Sequence, residues 1–186
     1  MSLEVKPAEI QGVLFLRPQE FSDDRGQFSE TYNAAAFERW LGPNVCFVQD
    51  NQTRSSNGVL RGLHYQMERV QGKLLRVLKG AIFDVVVDLR RSSPTFGRWH
   101  GFEMSAFDRW QIWIPPGLAH GFLTLSNNTE ILYKVTDYWD PKSERTLRWN
   151  DPHLGIRWPL PAAAAGPILS IKDAAGLAWE EAPKFD

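Results

Sequence analysis

Short runs in which apolar and polar residues alternate recur along most of this chain, and a two-residue period marks a strand with one buried face. From Leu60 to Gln66 the alternation places Arg61, Leu63 and Tyr65 on one face and Leu60, Gly62, His64 and Gln66 on the other. A short turn follows, and Lys73 opens the next strand. Residues 45–52 alternate too, and the face that begins apolar at Val45 and Phe47 turns polar at Gln49 and Asn51. That change is expected where a strand leaves a core and enters a ligand pocket. Further strands are predicted over 13–17, 28–32, 74–78, 82–89, 99–104, 111–114, 122–125 and 130–139. Turn signals such as Asp23-Asp24-Arg25-Gly26 and Lys79-Gly80 separate them. Residues 54–58 read as a loop, 159–167 with its four consecutive alanines as a linker, and 168–173 as a short strand or arm. Helical period is confined to 34–41, with Asn33 as N-cap and Gly42-Pro43 closing it. So many short strands at near-regular spacing predict a mainly β fold, an antiparallel sandwich or barrel with few short helices.

Composition narrows the classes. A chain of 186 residues is long enough to bury a core without staples and reads as one domain. With 43% hydrophobic and 23% charged residues it is globular, and a net charge of −1 gives no basic field for nucleic acid or membrane. Anion binding must therefore come from a local cluster. The single cysteine, Cys46, cannot form an intrachain disulfide and reads as a small buried apolar residue. No leader or membrane-spanning run is visible, so a cytoplasmic protein is expected. An aromatic content of 12% points to a stacking pocket, a large interface, or both.

Candidate chemistry centres on His64, held by rigid backbone with Gly62 beside it and Arg61, Lys73, Gln49 and Asn51 on nearby strands. This suggests acid–base work on an anionic ligand. Glu30 shares a face with Phe28 and Tyr32, which suits either a pocket or a solvated edge strand. Tyr133, on one face with Val135 and Asp137, is a possible proton donor or a core tyrosine. Pro115-Pro-Gly-Leu-Ala-His120 is similar to the second half of a cupin metal site, but the first half offers only His64-Tyr65-Gln66, leaving too few ligands. No phosphate loop, serine elbow or Cys-X-X-Cys is present.

Ordered blocks along nearly the whole chain carry a more specific message. They include Phe21-x-Asp-x-Arg25-Gly-x-Phe28-x-Glu30, Phe47-Val-Gln-Asp-Asn51, Leu60-Arg-Gly-Leu-His-Tyr-Gln66, Gln71-Gly-Lys73-Leu, Ile114-Pro-Pro-Gly-x-Ala-His120-Gly-Phe122, Tyr133-Lys-x-Thr-x-Tyr138 and Leu169-Ser-x-Lys172-Asp173. In these the chain resembles the dTDP-4-dehydrorhamnose 3,5-epimerase family, the dTDP-sugar epimerase branch of the cupin-like jelly rolls. The resemblance implies an antiparallel jelly-roll barrel, one domain over residues 1–186. It implies a homodimer whose N-terminal strands pack into the partner, and a C-terminal arm at about 167–186. It further implies inversion of C3 and C5 in dTDP-4-dehydro-6-deoxy-D-glucose, with no cofactor and no metal. His64 is then the general base, Asp173 the carboxylate that orients it, Tyr133 the acid on the opposite face, and Lys73 the cation for the enolate. Arg25, Glu30, Gln49, Asp50, Asn51, Arg61, Lys73, His120, Tyr138, Glu144 and Lys172 are the implied substrate contacts.

The chain departs from that pattern in places. It has Gln52-Thr53 where the family usually has His-Ser, Met67-Glu-Arg-Val70 where a Pro-Pro step is common, and Trp139 after Tyr138. A monoepimerase acting at one carbon shares the same scaffold and base, and a non-catalytic binding module is the alternative of another class.

Overall fold

A computed structural model describes residues 2–160 and 166–186. The chain is a jelly roll of antiparallel strands: β1 (Leu3–Pro7), β2 (Leu14–Pro18), β3 (Glu20–Asp23), β4 (Gly26–Ser29), β5 (Gln49–Ser55), β6 (Leu60–Gln66) and β7 (Lys73–Lys79). The second half adds β8 (Ala81–Asp88), β9 (Trp99–Ser105), β10 (Gln111–Ile114), β11 (Leu118–Thr124), β12 (Thr129–Val135) and β13 (Glu144–Thr146). Helices are α1 (Ala34–Leu41) and the single turn α2 (Ile171–Ala174). A six-stranded sheet runs β1-β2-β10-β7-β12-β5, a five-stranded one β13-β6-β11-β8-β9, and β3-β4 form a separate hairpin. Among the described residues no helix is long and apolar enough to cross a membrane.

Strand alternation sorts the side chains into layers. Leu75, Val77, Ile112, Ile114 and Ile131 from the six-stranded sheet meet Ile82, Val86, Leu118 and Phe122 from the five-stranded one in the inner core. The outer face of the first sheet carries Leu16, Leu74 and Trp113 beneath Phe37 of α1. Behind the second sheet, Leu63, Val85 and Val87 pack on C-terminal residues including Leu154, Trp179 and Ala182. Burial at about 25 cal/mol per Å² makes these layers the main source of stability.

Several boundaries differ from expectation for identifiable reasons. The strand expected over 28–32 stops at Ser29, and Glu30 turns off to accept a hydrogen bond from the Asn33 amide at 2.8 Å. Asn33 then caps α1 through Ala36 N–H. The strand expected from residue 45 begins only at Gln49, because Phe47 is held above the sheet against Tyr32 and Trp113. It runs through Ser55, which finds a ladder partner in Thr129. Strand β11 begins at Leu118, before the expected 122, and so takes in His120. β12 ends at Val135, leaving Thr136 to Trp139 outside the ladder. Cys46 is exposed, not buried. Of the expected linker, residues 161–165 lie outside the described residues. Beyond it Ile168 makes a lone parallel bridge to Val59. Ser170 then caps α2, its hydroxyl accepting from Asp173 N–H at 3.1 Å and donating to Asp173 Oδ2 at 2.7 Å.

Candidate active site

Between the sheets, at their polar end, lies a cavity of about 370 Å³, the size of a small-ligand site. One wall follows from ladder register. Lys73, Val135 and Gln49 lie side by side across β7, β12 and β5, then Leu75, Tyr133 and Asn51, then Val77, Ile131 and Thr53. The facing wall comes from β6 and β11, where His64 lies opposite His120.

The β6 wall corrects the sequence reading, which set Arg61 and His64 on opposite faces. Two steps along β11, from His120 to Phe122, match three along β6, from His64 to Arg61. The extra residue is a β-bulge, a device that re-aims side chains. Arg61 and His64 therefore both line the cavity, while Leu63 and Tyr65 join the core behind the sheet. Gly62 makes the bulge possible. Its φ is +131°, and a Cβ there would lie 2.5 Å from Gly121 Cα and 2.9 Å from His120 carbonyl oxygen.

Behind His64 sits Asp173, only 3% exposed, with Oδ1 2.5 Å from His64 Nε2. Burial by itself would raise the Asp173 pKa, but hydrogen bonds from His64 and Ser170 hold it below the usual carboxylate value. An ionised Asp173 assigns the ring proton to Nε2 and leaves the Nδ1 lone pair free. Burial, helped by the charges of Lys172 and Lys73, pushes the His64 pKa down, against the upward pull of Asp173. The imidazole is therefore neutral at neutral pH.

Lys73 Nζ donates to the His64 carbonyl at 3.2 Å. Burial lowers its pKa to about 8, with Glu144 and Asp84 opposing. Burial likewise raises Tyr133, so its phenol stays protonated. His120 is held by fully buried Asp84 at 2.9 Å, and Glu144 pairs with Lys172 at 3.0 Å. A neutral base, a protonated phenol on the facing sheet and a buried ammonium can together move a proton off carbon and carry the charge that results.

The cavity thus gathers His64, Tyr133, Lys73, Gln49, Asn51, Arg61, His120, Glu144 and Lys172, with Asp173 behind. It does not gather the rest. Arg25 pairs with Asp23 on the exposed hairpin. Glu30 holds Asn33, and Asp50 points to the outer face against Lys134 at 2.9 Å. Tyr138 is 55% exposed outside the lining. Sequence reading had not singled out Thr53, Gln71, Phe122 or Trp139 as site residues, yet they line the cavity. The inward side of β5 was the available signal for Thr53. Among the described residues no set of three His, Cys, Asp or Glu side chains is grouped to hold a metal ion.

Comparisons with known proteins agree on one family. The model described as dTDP-4-dehydrorhamnose 3,5-epimerase matches residues 7–181. A Pseudomonas aeruginosa protein named dTDP-4-dehydrorhamnose 3,5-epimerase is 54% identical over 176 residues, covering 95% of this chain and 96% of that one. The Salmonella typhimurium protein of the same name is 50% identical and covers 98% of each. A crystal structure of a Legionella pneumophila dTDP-6-deoxy-D-glucose-3,5-epimerase in complex with dTDP-4-keto-L-rhamnose superposes with a TM-score of 0.91, at 43% identity and full coverage of both chains.

Proposed function

We propose, for a chain that belongs to the dTDP-4-dehydrorhamnose 3,5-epimerase family and is therefore an isomerase, that it inverts C3 and C5 of dTDP-4-dehydro-6-deoxy-D-glucose to give dTDP-4-dehydro-L-rhamnose. The observation that carries this is the His64–Asp173 pair on one wall of a cavity whose other wall bears Tyr133. His64 Nδ1 takes the proton α to the C4 ketone, and the C–H electron pair passes into an enolate. Ionised Asp173 stabilises the imidazolium that forms. The Lys73 ammonium faces the enolate oxygen. Tyr133 then gives its phenolic proton to the opposite face of the carbon, and the two side chains re-equilibrate their protons with solvent. Repetition at the second carbon completes the reaction. Arg61 and Lys172 supply positive charge for the diphosphate.

We read the working form as a homodimer in the cytoplasm. The β3-β4 hairpin supports this, because it exposes Phe21 at 56% and Phe28 at 67% and carries Arg25 away from its own cavity. In a dimer Arg25 and Glu30 serve the partner's site, and Tyr138 stacks on the thymine. The test is turnover in deuterium oxide followed by NMR. One solvent deuteron at each of C3 and C5 is expected. Incorporation at a single carbon would make this a monoepimerase, and none at either would remove His64 as base.

A further inference from the structure

The inner face of β5 presents Gln49, Asn51, Thr53 and Ser55, and their hydrogen bonding is uneven. Gln49 Nε2 donates to Asn51 Oδ1 at 2.8 Å, and Gln49 Oε1 accepts from Trp139 N–H at 3.1 Å. Ser55 Oγ accepts from Arg61 Nε at 3.1 Å, reaching across from the other sheet. Thr53 stands between these partnered residues. Its Oγ1 is the one buried side-chain polar atom among the described residues that lacks a hydrogen-bond partner. A buried hydroxyl left alone costs stability, and native sites keep such groups where a ligand completes them.

The surroundings say which part of a ligand. Thr53 lies beside Ile131 on β12, and the next inward position along that strand is Tyr133. Phe122 closes on the same cavity from the other sheet. A group one inward position from the proton donor faces the ring whose carbons the donor must reach. Arg61, which reaches this row from the facing sheet, is already turned to Ser55.

We propose that Thr53 is a specificity-determining residue whose hydroxyl hydrogen bonds a hydroxyl of the bound hexose, so that the site disfavours a sugar that leaves it unpaired. This rests on the epimerase reading above, which supplies the hexose. A site built around a hydrogen bond rejects ligands lacking the partner far better than an apolar wall rejects an extra group.

The experiment compares Thr53→Val, which keeps the shape and removes the hydroxyl, with Thr53→Ser, which restores it. Steady-state kinetics with the nucleotide sugar and calorimetry with dTDP alone are run on folded wild type and both variants. Thr53→Val should lose about tenfold in kcat/KM, Thr53→Ser should recover most of that loss, and dTDP affinity should not change. Wild-type kcat/KM in Thr53→Val would show the hydroxyl idle. An equal loss in dTDP affinity would place it on the nucleotide, and an equal loss in Thr53→Ser would make shape the cause; each overturns the proposal. Should Thr53→Val not fold, the serine variant with a deoxy-hexose analogue carries the test. Wild type then prefers the natural sugar by about tenfold, and no preference overturns the proposal. Absence of deuterium incorporation by wild type would sink the epimerase reading instead, which separates the two failures.

Discussion

Replacing Asp173 by Asn leaves the size of the side chain and removes its charge, and the structure fixes what that costs. Oδ1 meets His64 Nε2 at 2.5 Å and takes Gly62 N–H at 3.4 Å, while Oδ2 accepts from Ser170 at 2.7 Å. If the new amide nitrogen replaces Oδ1, it donates to Nε2 and drives the ring proton onto Nδ1, the nitrogen that must be bare. If it replaces Oδ2, the tautomer survives but the imidazolium faces a neutral oxygen. Hydrogen bonds to charged groups contribute about 1.5–3 kcal/mol. The imidazolium exists only after abstraction, so the loss falls on the transition state and lowers kcat by about 10- to 100-fold. The wrong tautomer would deepen it toward the ~10⁴ seen when the triad aspartate of a serine protease becomes Asn.

The pH profile adds a sign. Burial holds His64 below its ordinary pKa, and Asp173 pulls it up. Deleting the upward pull lowers the pKa further, so the acid limb of kcat must move to lower pH while the plateau falls. Deuterium exchange rates across the folded pH range, with dTDP affinity as control, check both. A wild-type plateau, or an acid limb displaced to higher pH, would refute the coupling of these residues.

Gly62→Ala combines positive-φ strain with contact against backbone atoms of Gly121 and His120 that cannot swing away. Roughly 3 kcal/mol of stability should go, lowering Tm by about 6–12 °C in calorimetry, with kcat falling alongside. An unchanged Tm would mean the β6-β11 contact is softer than the geometry implies. For Lys73, a pKa near 8 means the ammonium is lost as pH rises through that value. Wild-type turnover should decline there. Lys73→Met should flatten this limb and cost about 10²–10³ in kcat, as expected for a removed oxyanion partner. A wild-type profile level well above pH 8 would show that Lys73 does not act as a cation.

Local chemistry in the sequence was enough for α1, with its Asn33 cap, and for the polar inner row of β5. It was enough to pick out His64 and Tyr133 as side chains held by strands. The path of Arg61 to the His64 side was not legible, because alternation assumes one residue per ladder step and says nothing of a bulge. The His64–Asp173 contact spans 109 positions, a separation that no local period encodes, and only the family resemblance had named it. Cys46 was read as buried because its apolar neighbours looked like a strand. In the fold Val45 and Phe47 pack on the core from that segment, and the cysteine between them turns out to solvent.

The extra residue in β6 also bears on how this chain can change over generations. Side chains on a strand swap faces with every residue gained or lost. Arg61 and His64 share a wall because three positions separate them where a regular strand would need an even number. Regular pairing of the same residues, without the bulge, would turn one of the two to the far side of the sheet. The bulge and its glycine are thus inherited together: what Gly62 permits in the backbone is what keeps Arg61 on the same wall as His64.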